Sequence, residues 1–217
     1  LIENNLFDYC AIKESGNACF NFNTDNAIWQ YNEARNTKAN NGDEDAGGID
    51  SDYRSKNTII QYNYLHDNDF GMLVTGGSGV FNDGTIVRYN IFEREGKIAR
   101  YGADSKFVIR VSGEATNTVF HNNVIFLDND QKATKIIFHK KWGTWPDNTK
   151  YYNNIFYTLA SGSSYDFGSS IGNEFSNNLF YGNPSTGTPD DANKITSDPL
   201  FVNPGKTEEG YKIKADS

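Results

Sequence analysis

Asp50 and Asp52 stand two residues apart in the stretch Asp43-Glu44-Asp45-Ala46-Gly47-Gly48-Ile49-Asp50-Ser51-Asp52-Tyr53. On an extended strand, residues i and i+2 share one face, about 6.5–7 Å apart at the backbone. Two chemistries use carboxylates at that spacing. One is acid and base attack on a glycosidic bond, where the pair flanks the linkage. The other is calcium binding, which needs several oxygen ligands; Asp43, Glu44, Asp45 and Asp67 would supply more. Calcium is therefore the one cofactor expected, with Asp43, Asp45, Asp50 and Asp52 as its ligands. The plainer alternative is that both aspartates are solvated residues capping turns.

A second group is His139-Lys140-Lys141-Trp142-Gly143-Thr144-Trp145. Basic residues beside two tryptophans suit an acidic sugar, with the aromatic faces stacking on pyranose rings. Trp142, Trp145 and Lys140 are thus expected to bind substrate. Tryptophans also pack loops onto a framework, which is the competing reading. Arg110, His139 and Lys141 are expected to bind the glycan or to take a proton from it. With a metal beside them they would serve elimination, in which metal and cation neutralise a uronate carboxylate. No nucleophile elbow, phosphate loop, zinc motif or dinucleotide fingerprint is present.

These groups must be positioned by a repeat. Seven times an apolar run meets an asparagine and then a further short run, at Asn5, Asn32, Asn63, Asn90, Asn123, Asn154 and Asn178. A period of about thirty residues over a whole chain signals a repeat architecture. Within each copy, β-branched and aromatic residues fill short runs broken by Gly or Asn. The expected fold is all-β, a right-handed parallel β-helix of about seven coils. Its asparagines would bend the chain in the left-handed region and stack as an amide ladder at strand spacing. They are read as structural rather than catalytic. The apolar residues Ile60, Tyr62, Leu65, Ile86, Ile91, Val119, Val124, Ile155 and Leu179 would form the core. Along the strands that follow the Asn corners, alternation sends Phe22, Ile49, Val74, Ile109, Val111 and Phe138 inward. It sends Asn21, Asn23, Asp50, Asp52, Arg110, Ser112, His139, Lys141 and Asp166 outward. A slip of one residue would exchange the faces.

With these repeats the chain resembles the right-handed parallel β-helix proteins, a superfamily rich in pectate lyases, polygalacturonases and other polysaccharide-active proteins. The stretch from Asp43 to Tyr53, followed by Thr58-Ile59-Ile60-Gln61-Tyr62-Asn63-Tyr64-Leu65-His66-Asp67-Asn68, is similar to a segment of exported bacterial β-helix proteins. Asp198-Pro199-Leu200-Phe201-Val202 resembles their closing motif. The resemblance implies handling of an extracellular glycan, by a glycosidase or a polysaccharide lyase. It equally allows a non-catalytic carbohydrate-binding or adhesive module, because one fold hosts many activities. The Gly-His-Gly of polygalacturonases is absent.

Composition narrows the setting. Lys plus Arg number 20 against 28 Asp plus Glu, a formal net charge of -8, which argues against a nucleic-acid partner. No apolar run reaches membrane-spanning length. One β-helix domain over residues 1–217 is expected, monomeric, secreted or at the cell surface. The start within a repeat suggests a segment of a larger protein. Cys10 and Cys19 would either form a disulfide or remain two thiols in one coil.

Overall fold

The computed structural model describes all residues except 12, 14–15, 40–44, 97–105, 184–186 and 216–217. Short parallel strands wind into a solenoid with three main faces. The first face has seven strands: Ile2–Glu3, Ile28–Gln30, Ile59–Gln61, Ile86–Arg88, Val119–His121, Lys150–Tyr152 and Glu174–Ser176. The second also has seven, from Leu6–Asp8 to Leu179–Gly182. The third has six: Cys19–Asn21, Ile49–Ser51, Met72–Thr75, Phe107–Ser112, Lys135–Lys140 and Ser164–Asp166. A minor sheet of three strands, Ser55–Lys56, Phe81–Asp83 and Glu114–Thr116, closes part of the return to the first face. Among the described residues no helix is long and apolar enough to cross a membrane.

The solenoid has about five turns rather than seven. Seven rungs are present on two faces, but only the five interior ones have a neighbour both above and below. Among the described residues the last rung contributes no strand to the third face.

The corner between the first and second faces explains the repeat. The residue in the left-handed region is the one before each key asparagine: Asn4, Tyr31, Tyr62, Tyr89, Asn122, Asn153 and Asn177, with φ from 55° to 59°. A tyrosine there carries a steric cost of about 1–2 kcal/mol. Stacking offsets part of it, since Tyr31, Tyr62 and Tyr89 lie face to face with ring centroids 5.2 Å apart. The key asparagines turn inward instead. Asn32 donates through both its backbone N–H and its Nδ2 to Asn63 Oδ1, each at 3.0 Å. Asn63 does the same to Asn90, Asn90 to Asn123, Asn123 to Asn154 and Asn154 to Asn178. Beyond Asn178 the acceptor is Asp191, whose Oδ2 takes both the N–H and the Nδ2 of Asn178 at 2.8 Å.

Two inward columns build much of the core, and inward residues of the third face, Ile49, Met72, Val74, Ile109, Val111 and Ile137, complete it. Trp29, Ile60, Val87, Phe120 and Tyr151 align on the first face. Ala34, Leu65, Phe92, Ile125, Phe156 and Phe180 align on the second. Both columns are buried. Ile60 and Leu65 are therefore core as expected. Tyr62 is exposed at the corner, and Ile86, Ile91, Val119, Val124, Ile155 and Leu179 point outward and are half-buried. On the second face that outer surface is covered by the C-terminal segment. Phe201, from the stretch that resembles a closing motif, packs with Tyr211 and Phe126, and Ile91, Val124 and Ile155 lie against them. That cover is why Ile91, Val124 and Ile155 are apolar although they point outward.

Candidate functional site

The third face carries the site, and strand register decides what meets there. One outward row runs Phe20, Asp50, Leu73, Arg110, Phe138 and Asp166. A second runs Thr75, Ser112 and Lys140. Between them lies an inward row of Asn21, Ser51, Val74, Val111 and His139.

This register corrects the expected facing at four positions. Asn21 is buried inside the coil, where its Nδ2 reaches Thr24, Ser55 and Thr58 and its Oδ1 accepts from Trp29 Nε1. Phe22 is 44% exposed. Phe138 faces outward but is covered, packed with Phe70, Leu73, Phe107, Ala39 and Ala46 in a second apolar cluster. His139 faces inward and is fully buried. Its Nδ1 pairs with Ser170 Oγ at 2.8 Å and its Nε2 with Tyr151 Oη at 2.9 Å. Polar partners inside and an apolar cover outside reverse the usual cue.

His139 therefore lies outside the cleft and belongs to the core. Burial pushes its pKa down to about 3, with Asp166 opposing weakly, so the ring is neutral. The folded value lies below the unfolded one, so its contribution to stability is present above about pH 6.5 and is lost as pH falls towards 3. His139→Ala is expected to destabilise the fold by about 2–4 kcal/mol, through a cavity and an unpaired Tyr151 hydroxyl. Chemical denaturation at pH 8 checks this; a loss under about 1 kcal/mol would contradict the assigned role.

The remaining candidates converge. A cleft of about 330 Å³ is lined by Asp45, Asp50, Asp52, Tyr53, Thr75, Arg110, Ser112, Lys140, Lys141 and Trp142. Asp50 lies deep, 3% exposed, with Oδ1 accepting from Thr75 Oγ1 at 3.0 Å and Oδ2 from Asn17 Nδ2 at 3.1 Å. Asn17 is itself fixed, since its Oδ1 accepts from the Gly47 N–H at 2.8 Å. Asp52 is half-buried and accepts from the Tyr53 N–H at 2.7 Å. Arg110 is 6% exposed, its guanidinium 5.1 Å from the Phe107 ring centroid.

Both carboxyls hold their protons more tightly than free aspartates. Burial is the main cause for Asp50, the Asp52 charge adds to it, and Arg110 opposes. Burial also raises Asp52, to about 6, against the Tyr53 N–H. The Tyr53 hydroxyl is raised by burial and by the same carboxylates.

The cleft rim is aromatic. Tyr53 and Trp142 meet edge to face at 5.6 Å, and Trp142 is 46% exposed. A tight hairpin holds Trp142, whose N–H donates to Thr144 O at 2.9 Å. Gly143 there has φ +75°, and a Cβ on it would come within 2.8 Å of Ser78 Cα. Trp145 lies elsewhere, its ring against Gly168, and does not line the cleft.

Asp43 and Glu44 lie outside the described residues. Among the described residues no group of three His, Cys, Asp or Glu side chains is placed to hold a metal ion. Cys10 and Cys19 are free thiols. Asn17, Tyr53 and Thr75 were not among the site residues expected from sequence. Thr75 enters only through register, one coil away from Asp50.

The arrangement supplies an acid that can give up a proton near neutral pH, cations at its side and an aromatic wall. Compared with known protein families and with curated proteins, the chain matches none.

Proposed function

We propose that the protein is an exported polysaccharide-active enzyme that cleaves a glycan in the third-face cleft. The observation that carries this reading is the pair Asp50 and Asp52, both with raised proton affinity, beside Arg110 and under Tyr53 and Trp142. Asp52, the more exposed, is the group that exchanges a proton with the glycosidic oxygen. Burial holds the Asp52 proton, the Asp45 charge adds to it and Arg110 opposes, while Asp50 lies beside it as a buried neighbour that keeps its own proton. Arg110, Lys140 and Lys141 hold the sugar's polar substituents, and the Trp142 ring offers a pyranose a face. The right-handed winding and the continuous asparagine ladder of the β-helix superfamily belong to the same reading.

The test is a panel of neutral and acidic polysaccharides. New reducing ends without an unsaturated product support hydrolysis. An unsaturated product, lost on chelation, would favour calcium-assisted elimination with Asp43 as a further ligand. A second reading, a non-catalytic carbohydrate-binding module, is favoured by the exposure of Trp142. Binding with no product after prolonged incubation selects it.

A further inference from the structure

A second cavity, of about 430 Å³, opens on the outside of the second face, away from the third-face cleft. Small-ligand sites occupy roughly 300–1,000 Å³. Its floor is the outward row Leu6, Glu33 and Tyr64, matched rung to rung by register. Tyr31 and Tyr62 line it from the corner column, and Glu208 lines it from the C-terminal segment. Glu208 belongs to the short 3₁₀ helix Glu208–Tyr211. That helix is fastened to the solenoid by the Tyr211 hydroxyl, which donates to Glu93 Oε2 at 2.8 Å.

The corner column defines the shape that fits. Tyr31, Tyr62 and Tyr89 stack face to face, so both faces of Tyr62 are covered. Tyr31 has a ring on one face only, because the first rung places Asn4 at this corner in the same backbone conformation, φ 59° against 55°. Tyr31 is accordingly 53% exposed. A slot for one more ring is left over it, in a column that stacks rings.

Polar groups define what that ring carries. Glu33 Oε1 is engaged by Arg35 and His66, at 2.8 and 3.1 Å, and its Oε2 by neither. Glu208 is exposed and open to the cavity. Among the described residues no Lys, Arg or His lines it. Carboxylates accept from hydroxyls and from ammonium groups alike, and they repel an anion.

We propose that this cavity is a second binding site, for a neutral or amino sugar ring that stacks on the open face of Tyr31 and donates to Glu33 Oε2 and Glu208. It goes beyond the cleavage reading and does not depend on it, since the two cavities share no lining residue. Beside a cleaving cleft it would hold a glycan on the protein without touching the bond that breaks.

Asn4→Tyr tests this by filling the slot from the protein's own chain. Tyrosine already adopts this backbone conformation on the next three rungs, so the thermal midpoint should be unchanged or higher. The probes are cellobiose, glucosamine and galacturonate, followed by titration calorimetry. Wild type should bind cellobiose or glucosamine, and Asn4→Tyr should weaken that binding more than about 10-fold. Trp142→Ala, at the cleft rim, should leave it unchanged. Glu208→Gln then separates the two sugars, because the amide still accepts from a hydroxyl but carries no charge. A loss of about 2-fold marks the neutral sugar, and one of about 10-fold the amino sugar. Binding of neither probe would overturn the proposal, as would binding that survives Asn4→Tyr or is lost in Trp142→Ala. Galacturonate bound as tightly as the other two would overturn the role given to the carboxylates. A clear fall in the Asn4→Tyr midpoint would show that no slot lies over Tyr31 and would overturn it too. A protein that passes this test yet cleaves no polysaccharide loses only the cleavage reading. One that cleaves but binds nothing here loses only the second site.

Discussion

Asp52→Asn is expected to lower turnover on the true substrate by about 10²–10⁴-fold, the range for a lost general acid or base. It should do so without loss of fold, because the amide keeps an oxygen for the Tyr53 N–H. The same change should stabilise the protein above pH 6. The folded pKa of Asp52, about 6, lies above the unfolded aspartate value of about 3.9. Its favourable contribution is therefore complete below about pH 4 and is lost as pH rises through about 6. Above that, wild type carries a half-buried charge that the variant lacks. Thermal midpoints of the two proteins should agree at pH 4 and separate by pH 8, with the variant higher. A variant that keeps full activity would remove Asp52 from the chemistry. One that is less stable than wild type at pH 8 would refute the cause assigned to its raised proton affinity.

Asn90→Ala is expected to destabilise the solenoid by about 3–5 kcal/mol. Asn90 is 1% exposed. Its Oδ1 receives the N–H and Nδ2 of Asn63, at 2.9 and 3.0 Å. Its Nδ2 donates to Ile60 O, Arg88 O and Asn123 Oδ1. Alanine leaves those partners buried with nothing in their place. Asn5→Ala is the control. Asn5 occupies the same position on the first rung but is exposed, so water replaces what is lost, and the cost should stay under about 1 kcal/mol. Urea midpoints measure both. Equal costs at the two positions would mean that burial does not set the strength of these bonds.

The contrast between residues 50 and 139 shows how far a sequence can be read. Asp50 and Asp52 were placed on an outward strand by alternation, and both line the cleft with Arg110, Lys140, Lys141, Trp142 and Asp45. His139, from the same basic stretch, followed the same rule and lies in the core. The rule assumes that one side of a strand is wet. At Asp50 it holds. At Phe138 and His139 it fails, because a second apolar cluster dries the outside and Tyr151 with Ser170 makes the inside polar. Trp145 was drawn into the site by its neighbour Trp142, although the two rings part at a hairpin and one packs on Gly168. The left-handed corner was misplaced by one residue for a related reason. Asn tolerates that backbone best, yet tyrosine occupies three of the corners, where stacked rings compensate.

By itself the sequence determined the repeat, the parallel strands and the buried asparagines. Each of these is a local pattern copied about every thirty residues, and a copied pattern stacks on itself. Tertiary structure alone decided which side chains share a cleft. Separations between copies range from 24 to 33 residues, so positions in neighbouring coils cannot be matched by counting. Hydrogen-bond register between coils makes that match. It sets Thr75 against Asp50 and Ser112 against Lys140.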